Sequence, residues 1–220
     1  MTTILRIDSS SRPAAPEGAP EGAPVEGSFS RALADRIVER LGVADPGATV
    51  VRRDLVADPI GHIADATIKG YYTPPEATTD ELRAATAQSD ALIAELGAAD
   101  AIVLSAPLYN FSVPSALKAW IDQIVRIGRT FAYENGEFSG LLADRPTYLA
   151  LSYGAGGYAP GGPLEAYDFL RPYLTGLLNF VGLRSVEVFA VEATTAPDAA
   201  DRLAAALAEV DRRLPLRAAA

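Results

Sequence analysis

The sequence predicts an α/β fold on a parallel sheet. Short β-rich runs alternate with helical periodicity along the chain. Two of those runs, Ala101-Ile102-Val103-Leu104 and Tyr148-Leu149-Ala150-Leu151, are continuously apolar, as strands covered on both faces are. Helices lie between the strands, which is how right-handed crossovers join parallel neighbours.

Ile4-Leu5-Arg6-Ile7 forms the first strand and ends at Asp8-Ser9-Ser10-Ser11. Residues 13–27 are rich in Pro, Ala, Gly and Glu, and Pro16-Glu17-Gly18-Ala19 is nearly repeated as Pro20-Glu21-Gly22-Ala23. Such composition buries too little apolar surface to order itself, which predicts a flexible insert. Phe29, Leu33, Ile37 and Leu41 then recur at one-turn spacing, a helix face, with Ser28 placed to cap its first turn.

Thr49-Val50-Val51-Arg52 reads as the second strand. Residues 54–75 carry several prolines and little periodicity, which predicts irregular chain. Thr78-Thr79-Asp80-Glu81 reads as a capping box, Thr78 to Glu81, opening a helix that turns Leu82, Ala85, Leu92, Ile93 and Leu96 to the core. The third strand, Ala101–Leu104, is stopped by Pro107. Pro114 suits the start of a helix reaching about Ile127, with Gly128 at its end. After the fourth strand, Tyr148–Leu151, comes a glycine-rich loop. A helix from Pro172 to Gly182, a fifth strand Val186–Val191 and a last helix 198–214 complete the series. With no second core pattern and no repeat beyond the insert, residues 1–220 are expected to form a single domain.

Bulk properties narrow the function. Net charge is −9, which disfavours a nucleic-acid backbone as partner. The absence of cysteine removes disulfides, thiolate nucleophiles and iron–sulfur ligation. A single histidine, His62, speaks against a histidine-rich metal site or a Ser-His-Asp triad. No run approaches the roughly 18–20 apolar residues of a membrane span. The N-terminal residues do not read as a signal peptide. The expected location is the cytoplasm.

In open parallel sheets ligands bind beyond the carboxyl ends of the strands, and three loops meet that rule. The first combines Ser9-Ser10-Ser11 with Ser28-Phe29-Ser30, where hydroxyls and helix-start amides suit a phosphate. Neither a phosphate loop of the Gly-x-x-x-x-Gly-Lys type nor Gly-x-Gly-x-x-Gly follows the first strand. The second loop is Pro107–Pro114. Leu108, Tyr109 and Phe111 offer apolar walls and Asn110 a polar edge, a combination suited to a planar heterocycle. The third, Ser152 to Tyr158, carries Gly154, Gly156 and Gly157, which let backbone amides approach a flat ligand. Each loop alone is equally compatible with plain turns and caps; their convergence on one sheet edge favours a site.

At these residues the chain resembles the FMN-dependent NADH-azoreductase family over nearly its whole length. The most specific stretch is Pro107-Leu108-Tyr109-Asn110-Phe111-Ser112-Val113-Pro114 running into Leu117-Lys118-Ala119-Trp120-Ile121-Asp122. Arg53-Asp54-Leu55 with Pro59-Ile60, Thr130–Tyr133 before Gly140-Leu141, and Pro172-Tyr173-Leu174 before Phe180-Val181-Gly182 add ordered matches. The stretch between Ser10 and Ser28 is much longer than the family's phosphate loop, and the third loop also runs longer than in some relatives.

The resemblance implies a flavodoxin-like fold, a doubly wound five-stranded parallel sheet of order 2-1-3-4-5, binding one FMN per subunit. Ser10, Ser28, Phe29 and Ser30 would hold the phosphate. Leu108, Tyr109, Asn110 and Phe111 would line the isoalloxazine, and Ser152, Gly154, Gly156 and Gly157 would cover its pyrimidine edge. NADH or NADPH would be the co-substrate, and a quinone or azo compound the acceptor, in ping-pong alternation. The cofactor carries the chemistry, so no catalytic side chain and no metal is assigned. The family implies a homodimer with flavin at the interface. The alternative reading is a flavodoxin-like electron carrier whose acidic surface steers a protein partner.

Overall fold

In the computed structural model, which describes residues 2–14 and 27–214, a five-stranded parallel sheet carries helices on both faces. Its strands are β1 (Thr3–Asp8), β2 (Thr49–Asp54), β3 (Ala101–Pro107), β6 (Thr147–Ser152) and β7 (Val186–Val191), in the order β2-β1-β3-β6-β7. Counted within the sheet this is the expected order 2-1-3-4-5. The two extra strands, β4 (Phe131–Glu134) and β5 (Glu137–Gly140), form a separate antiparallel hairpin.

Strand alternation divides the core in two. Ile4 of β1, Val103 of β3, Ala150 of β6 and Phe189 of β7 pack against α1 (Phe29–Ala44) and α6 (Ala199–Arg213). Leu5, Ile7, Ile102, Leu104, Leu149 and Leu151 face α3 (Asp80–Ala98), α4 (Ser115–Ile124) and α5 (Arg171–Val181) instead. Both faces of β3 and β6 are therefore buried, which accounts for their unbroken apolar runs. Fully burying one such aliphatic side chain is worth about 1.5–3 kcal/mol.

The helix ends follow local chemistry. The Ser28 side chain accepts from the Arg31 amide and starts α1 as expected. Thr79, not Thr78, caps α3 by accepting from the Leu82 amide. Helix α5 ends at Gly182, whose φ of 111° closes the turn in a conformation open to glycine. Helix α4 stops at Ile124, short of the expected Ile127, because the buried Thr130 hydroxyl donates to the Ile124 carbonyl and turns the chain toward the hairpin.

Two elements depart from the sequence reading. Residues 65–72, expected to be irregular, form α2 (Asp65–Tyr72), which packs on α3. The β4–β5 hairpin turns on Asn135-Gly136, both at positive φ, the turn chemistry that favours tight hairpins. Its Phe131 and Phe138 pack on Phe180 of α5, with ring centroids 5.0 and 5.5 Å away. The predicted insert at 13–27 falls, in its central part 15–26, outside the described residues.

Candidate functional site

The carboxyl ends of β1, β3 and β6 lie side by side, since Asp8 pairs with Ser105 and Pro107 with Ser152. Their three loops therefore begin from one ledge. Ser9 is drawn against β3, its amide and hydroxyl both donating to the Ser105 carbonyl. The Ser10 hydroxyl accepts from the Arg12 amide at 3.2 Å. The Ser28 amide donates to the Pro13 carbonyl at 2.9 Å, which brings the start of α1 back beside Ser10. There Ser28 is buried, and the Phe29 and Ser30 amides of the first turn have no acceptor among the described residues.

The second loop is a two-residue turn. Tyr109 and Ser112 exchange both backbone hydrogen bonds, each 3.0 Å, with Asn110 at φ 48° and Phe111 at φ 68° between them. That pattern is the type I′ hairpin turn, which asparagine tolerates and phenylalanine does not favour. The Leu108 amide donates to the Ser152 carbonyl at 2.8 Å, joining the second loop to the third.

The third loop is held from behind. The Tyr153 amide donates to the Val191 carbonyl, and the Tyr153 ring stacks on Tyr158 with centroids 5.1 Å apart. Burial pushes the Tyr153 phenol well above its ordinary value, so it stays protonated and donates to Asp168. The chain after β7 adds further ties: the Thr194 amide donates to the Tyr153 carbonyl, and the Thr195 hydroxyl to the Gly154 carbonyl.

These loops enclose a cavity of about 160 Å³ lined by Ser10, Ser28, Phe29, Leu108, Tyr109, Ser152 and Gly154 of the predicted set. Arg12, Gly27, Pro107 and Thr194 complete the lining. Among the described residues no acidic side chain takes part, while the start of a helix and Arg12 do, so the cavity suits an anion. On the other side of Tyr109 lies a larger cavity of about 610 Å³, whose walls include His62, Asn110, Val113, Lys118, Asp122 and Tyr173. Tyr109 belongs to both.

Four predicted residues line neither cavity. Ser30 is fully buried and sets its hydroxyl 3.1 Å from that of Ser28. Phe111 is half exposed, its ring 5.6 Å from that of Tyr167. Gly156 sits against Ala193, and the Gly157 amide donates to the Glu192 carboxylate at 2.6 Å. Of the residues missed by sequence reasoning, Thr194 lies beyond the carboxyl end of β7, so the rule that found the other loops extends to it. Arg12 directly follows the serine run and carried no further signal. A third cavity, about 600 Å³ between β7 and α6, contains none of the predicted residues.

Beneath the first loop lies a chain of paired charges, buried except for the partly exposed Asp54. Arg31, in the first turn of α1, donates to both Asp54 oxygens at 2.6 and 3.0 Å and to the Ser10 carbonyl at 2.9 Å. Hydrogen bonding from Arg31 holds the Asp54 carboxyl below the ordinary range. Asp8 lies 3.5 Å from Arg31 and accepts from the Arg6 guanidinium and the Ser105 hydroxyl.

A family model described as a flavodoxin-like fold matches residues 21–214. Among curated proteins, the chain is 50% identical over 188 residues to an FMN-dependent NADH:quinone oxidoreductase of Xanthobacter autotrophicus, covering 86% of this chain and 85% of that one. It is 40% identical over 171 residues to a protein of the same description from Beijerinckia indica, covering 78% and 84%. Among solved structures, an azoreductase from Bacillus anthracis superposes with a TM-score of 0.82 at 26% identity, over 97% of this chain and 99% of that one.

Proposed function

This chain belongs to the flavodoxin-like fold family and is an FMN-dependent oxidoreductase of the NADH:quinone and azo reductase kind, and on that premise we propose that it works by ping-pong exchange at one flavin site. The observation that carries the proposal is the convergence of the loops after β1, β3 and β6 on one cavity. Its donors are hydroxyls, helix-start amides and one guanidinium, the set a phosphate monoester requires. The residues present therefore fit the cofactor.

When bound, FMN would supply the redox chemistry between NADH and a quinone or azo acceptor. The protein binds and orients. Ser10, Ser28 and the Phe29 and Ser30 amides hold the phosphate, with Arg12 adding charge. Leu108 and Tyr109 wall the ring, Asn110 meets its polar edge, and Ser152 with Gly154 covers the opposite side. Gly156 and Gly157 act through the shape of the third loop, and Ser30 through its contact with Ser28. The larger cavity beyond Tyr109 takes NADH and the acceptor in turn. Its volume falls within the roughly 300–1,000 Å³ typical of small-molecule sites.

We place the protein in the cytoplasm as a homodimer with the flavin site near the interface. The exposed aromatic side chains Phe111, Tyr167 and Phe169 beside the second loop support that arrangement. No helix among the described residues is long and apolar enough to cross a membrane.

Initial rates at varied NADH and quinone test the exchange. Parallel double-reciprocal lines, insensitive to chelators, are expected. Intersecting lines would mean that both substrates bind together and would reject the shared site. Sedimentation velocity tests the dimer.

A further inference from the structure

We infer that Arg31 is a positioning residue for the phosphate loop, a guanidinium braced by Asp54 that fixes the Ser10 carbonyl and presets the loop's donors. The inference rests on the reading that the FMN phosphate occupies the smaller cavity.

Arg31 stands where a helix disfavours it. It lies in the first turn of α1, where the helix dipole favours anions, and no acidic residue accompanies it there. It is also 93% buried, and long cationic side chains are rarely buried unless paired. Its bonds show what it holds. Both terminal nitrogens grip Asp54 at the end of β2, itself fixed by the Val56 and Ala57 amides, and Nη2 also reaches the Ser10 carbonyl. Arg31 does not line the cavity, so it acts through Ser10. Ser10 lines the cavity, so fixing its carbonyl fixes the backbone from which its hydroxyl is presented.

Only a planar fork serves all three acceptor atoms at once. Lysine keeps the charge but offers a single compact ammonium in place of the fork. Arg31→Lys therefore separates geometry from charge.

The test compares FMN with riboflavin, which has the ring and ribityl chain but no phosphate, by quenching of flavin fluorescence on titration with apoprotein. Wild type should prefer FMN. Arg31→Lys should raise the FMN dissociation constant by about tenfold or more, the loss expected of a charge-assisted hydrogen bond, and leave riboflavin unchanged. Asp54→Asn should give a smaller loss of the same selectivity, and it decides the matter if Arg31→Lys fails to fold by thermal melting. A wild-type ratio of FMN to riboflavin affinity in both variants, or equal loss of the two ligands, overturns the inference. Wild type that does not distinguish the ligands overturns the phosphate-site reading, and the inference with it.

Discussion

The Tyr109 phenol oxygen lies 2.7 Å from the Ser11 hydroxyl and accepts from the Ser11 amide at 3.3 Å. The loop after β3 is thereby tied to the loop after β1, and both loops line the smaller cavity. Burial pushes this phenol up, but hydrogen bonds from Ser11 and Ser10 and the nearby Arg12 charge outweigh it and leave its pKa lowered. One side chain thus lines both the smaller and the larger cavity.

Its two parts are separable. Tyr109→Phe removes the tie and keeps the wall, so FMN affinity should fall by about fivefold, the worth of about 1 kcal/mol of hydrogen bonding. The ranking of quinone and azo acceptors by kcat/KM should hold. Tyr109→Ala also removes the wall, and that ranking should change. Wild-type FMN affinity in Tyr109→Phe would show the tie to be inert, and an unaltered ranking in Tyr109→Ala would move the acceptor elsewhere.

The neighbouring turn stores strain. Phe111 sits at φ 68°, where an L-residue costs roughly 1–2 kcal/mol and glycine almost nothing. Phe111→Gly relieves that cost and gives up a contact with Tyr167 worth about 0.5–1.5 kcal/mol. The two nearly cancel, so urea unfolding should shift by less than about 1 kcal/mol. If the ring is retained for the site, kcat/KM toward bulky acceptors should still drop. A loss of stability beyond about 2 kcal/mol with unchanged kinetics would make Phe111 a packing residue only.

How much was legible follows from what each pattern encodes. Alternation and apolar runs report burial, so β3 and β6, buried along their whole length, were readable, and β7 was readable although only Phe189 and Val191 of it are buried. Helix α2 was not, because half of its residues stay exposed and Thr67 and Gly70 alone are buried. The Asn135-Gly136 pair of the β4–β5 turn, by contrast, is itself a hairpin signal in the sequence. Within the site, loops could be placed by the strands they follow, which put Ser10, Tyr109 and Ser152 together. Which way a loop residue turns is a tertiary fact. Gly157 therefore carried no sign that its amide is taken by Glu192, nor Arg31 that it grips Ser10.

Away from the site, Asp144 links the entries to β6 and β7. It accepts from the Arg184 and Ser185 amides at 2.7 and 2.9 Å and from the Ser185 hydroxyl at 2.7 Å. The Ser185 bonds, followed by that from Arg184, lower its pKa from 3.8 to about 2. A folded-state pKa below the unfolded one means stability that is fully present above the unfolded value. It is lost as pH falls through the folded one. The difference in Tm between wild type and Asp144→Ala should therefore be constant above about pH 5 and shrink between about pH 4 and pH 2. A gap as wide at pH 2 as at pH 7 would assign the effect to packing instead of the carboxylate.

Glu192 provides the counterpart to Arg31 on the other side of the site. One carboxylate oxygen accepts from the Gly157 amide at 2.6 Å and the Tyr158 amide at 3.2 Å, and its other oxygen is buried without a partner among the described residues. A carboxylate half satisfied and half orphaned is retained at a cost, and the loop it anchors is what it secures. That loop is assigned to the flavin ring, whereas Arg31 serves the phosphate. Glu192→Ala should therefore weaken FMN and riboflavin in equal proportion, by about tenfold or more, because the ring is common to both. Glu192→Gln keeps one acceptor oxygen for the two amides and should retain part of the affinity. Parallel titrations of both ligands into each variant separate the cases. Selective loss of FMN in Glu192→Ala would place the phosphate against the third loop, and no loss of either ligand would free that loop from the cofactor altogether.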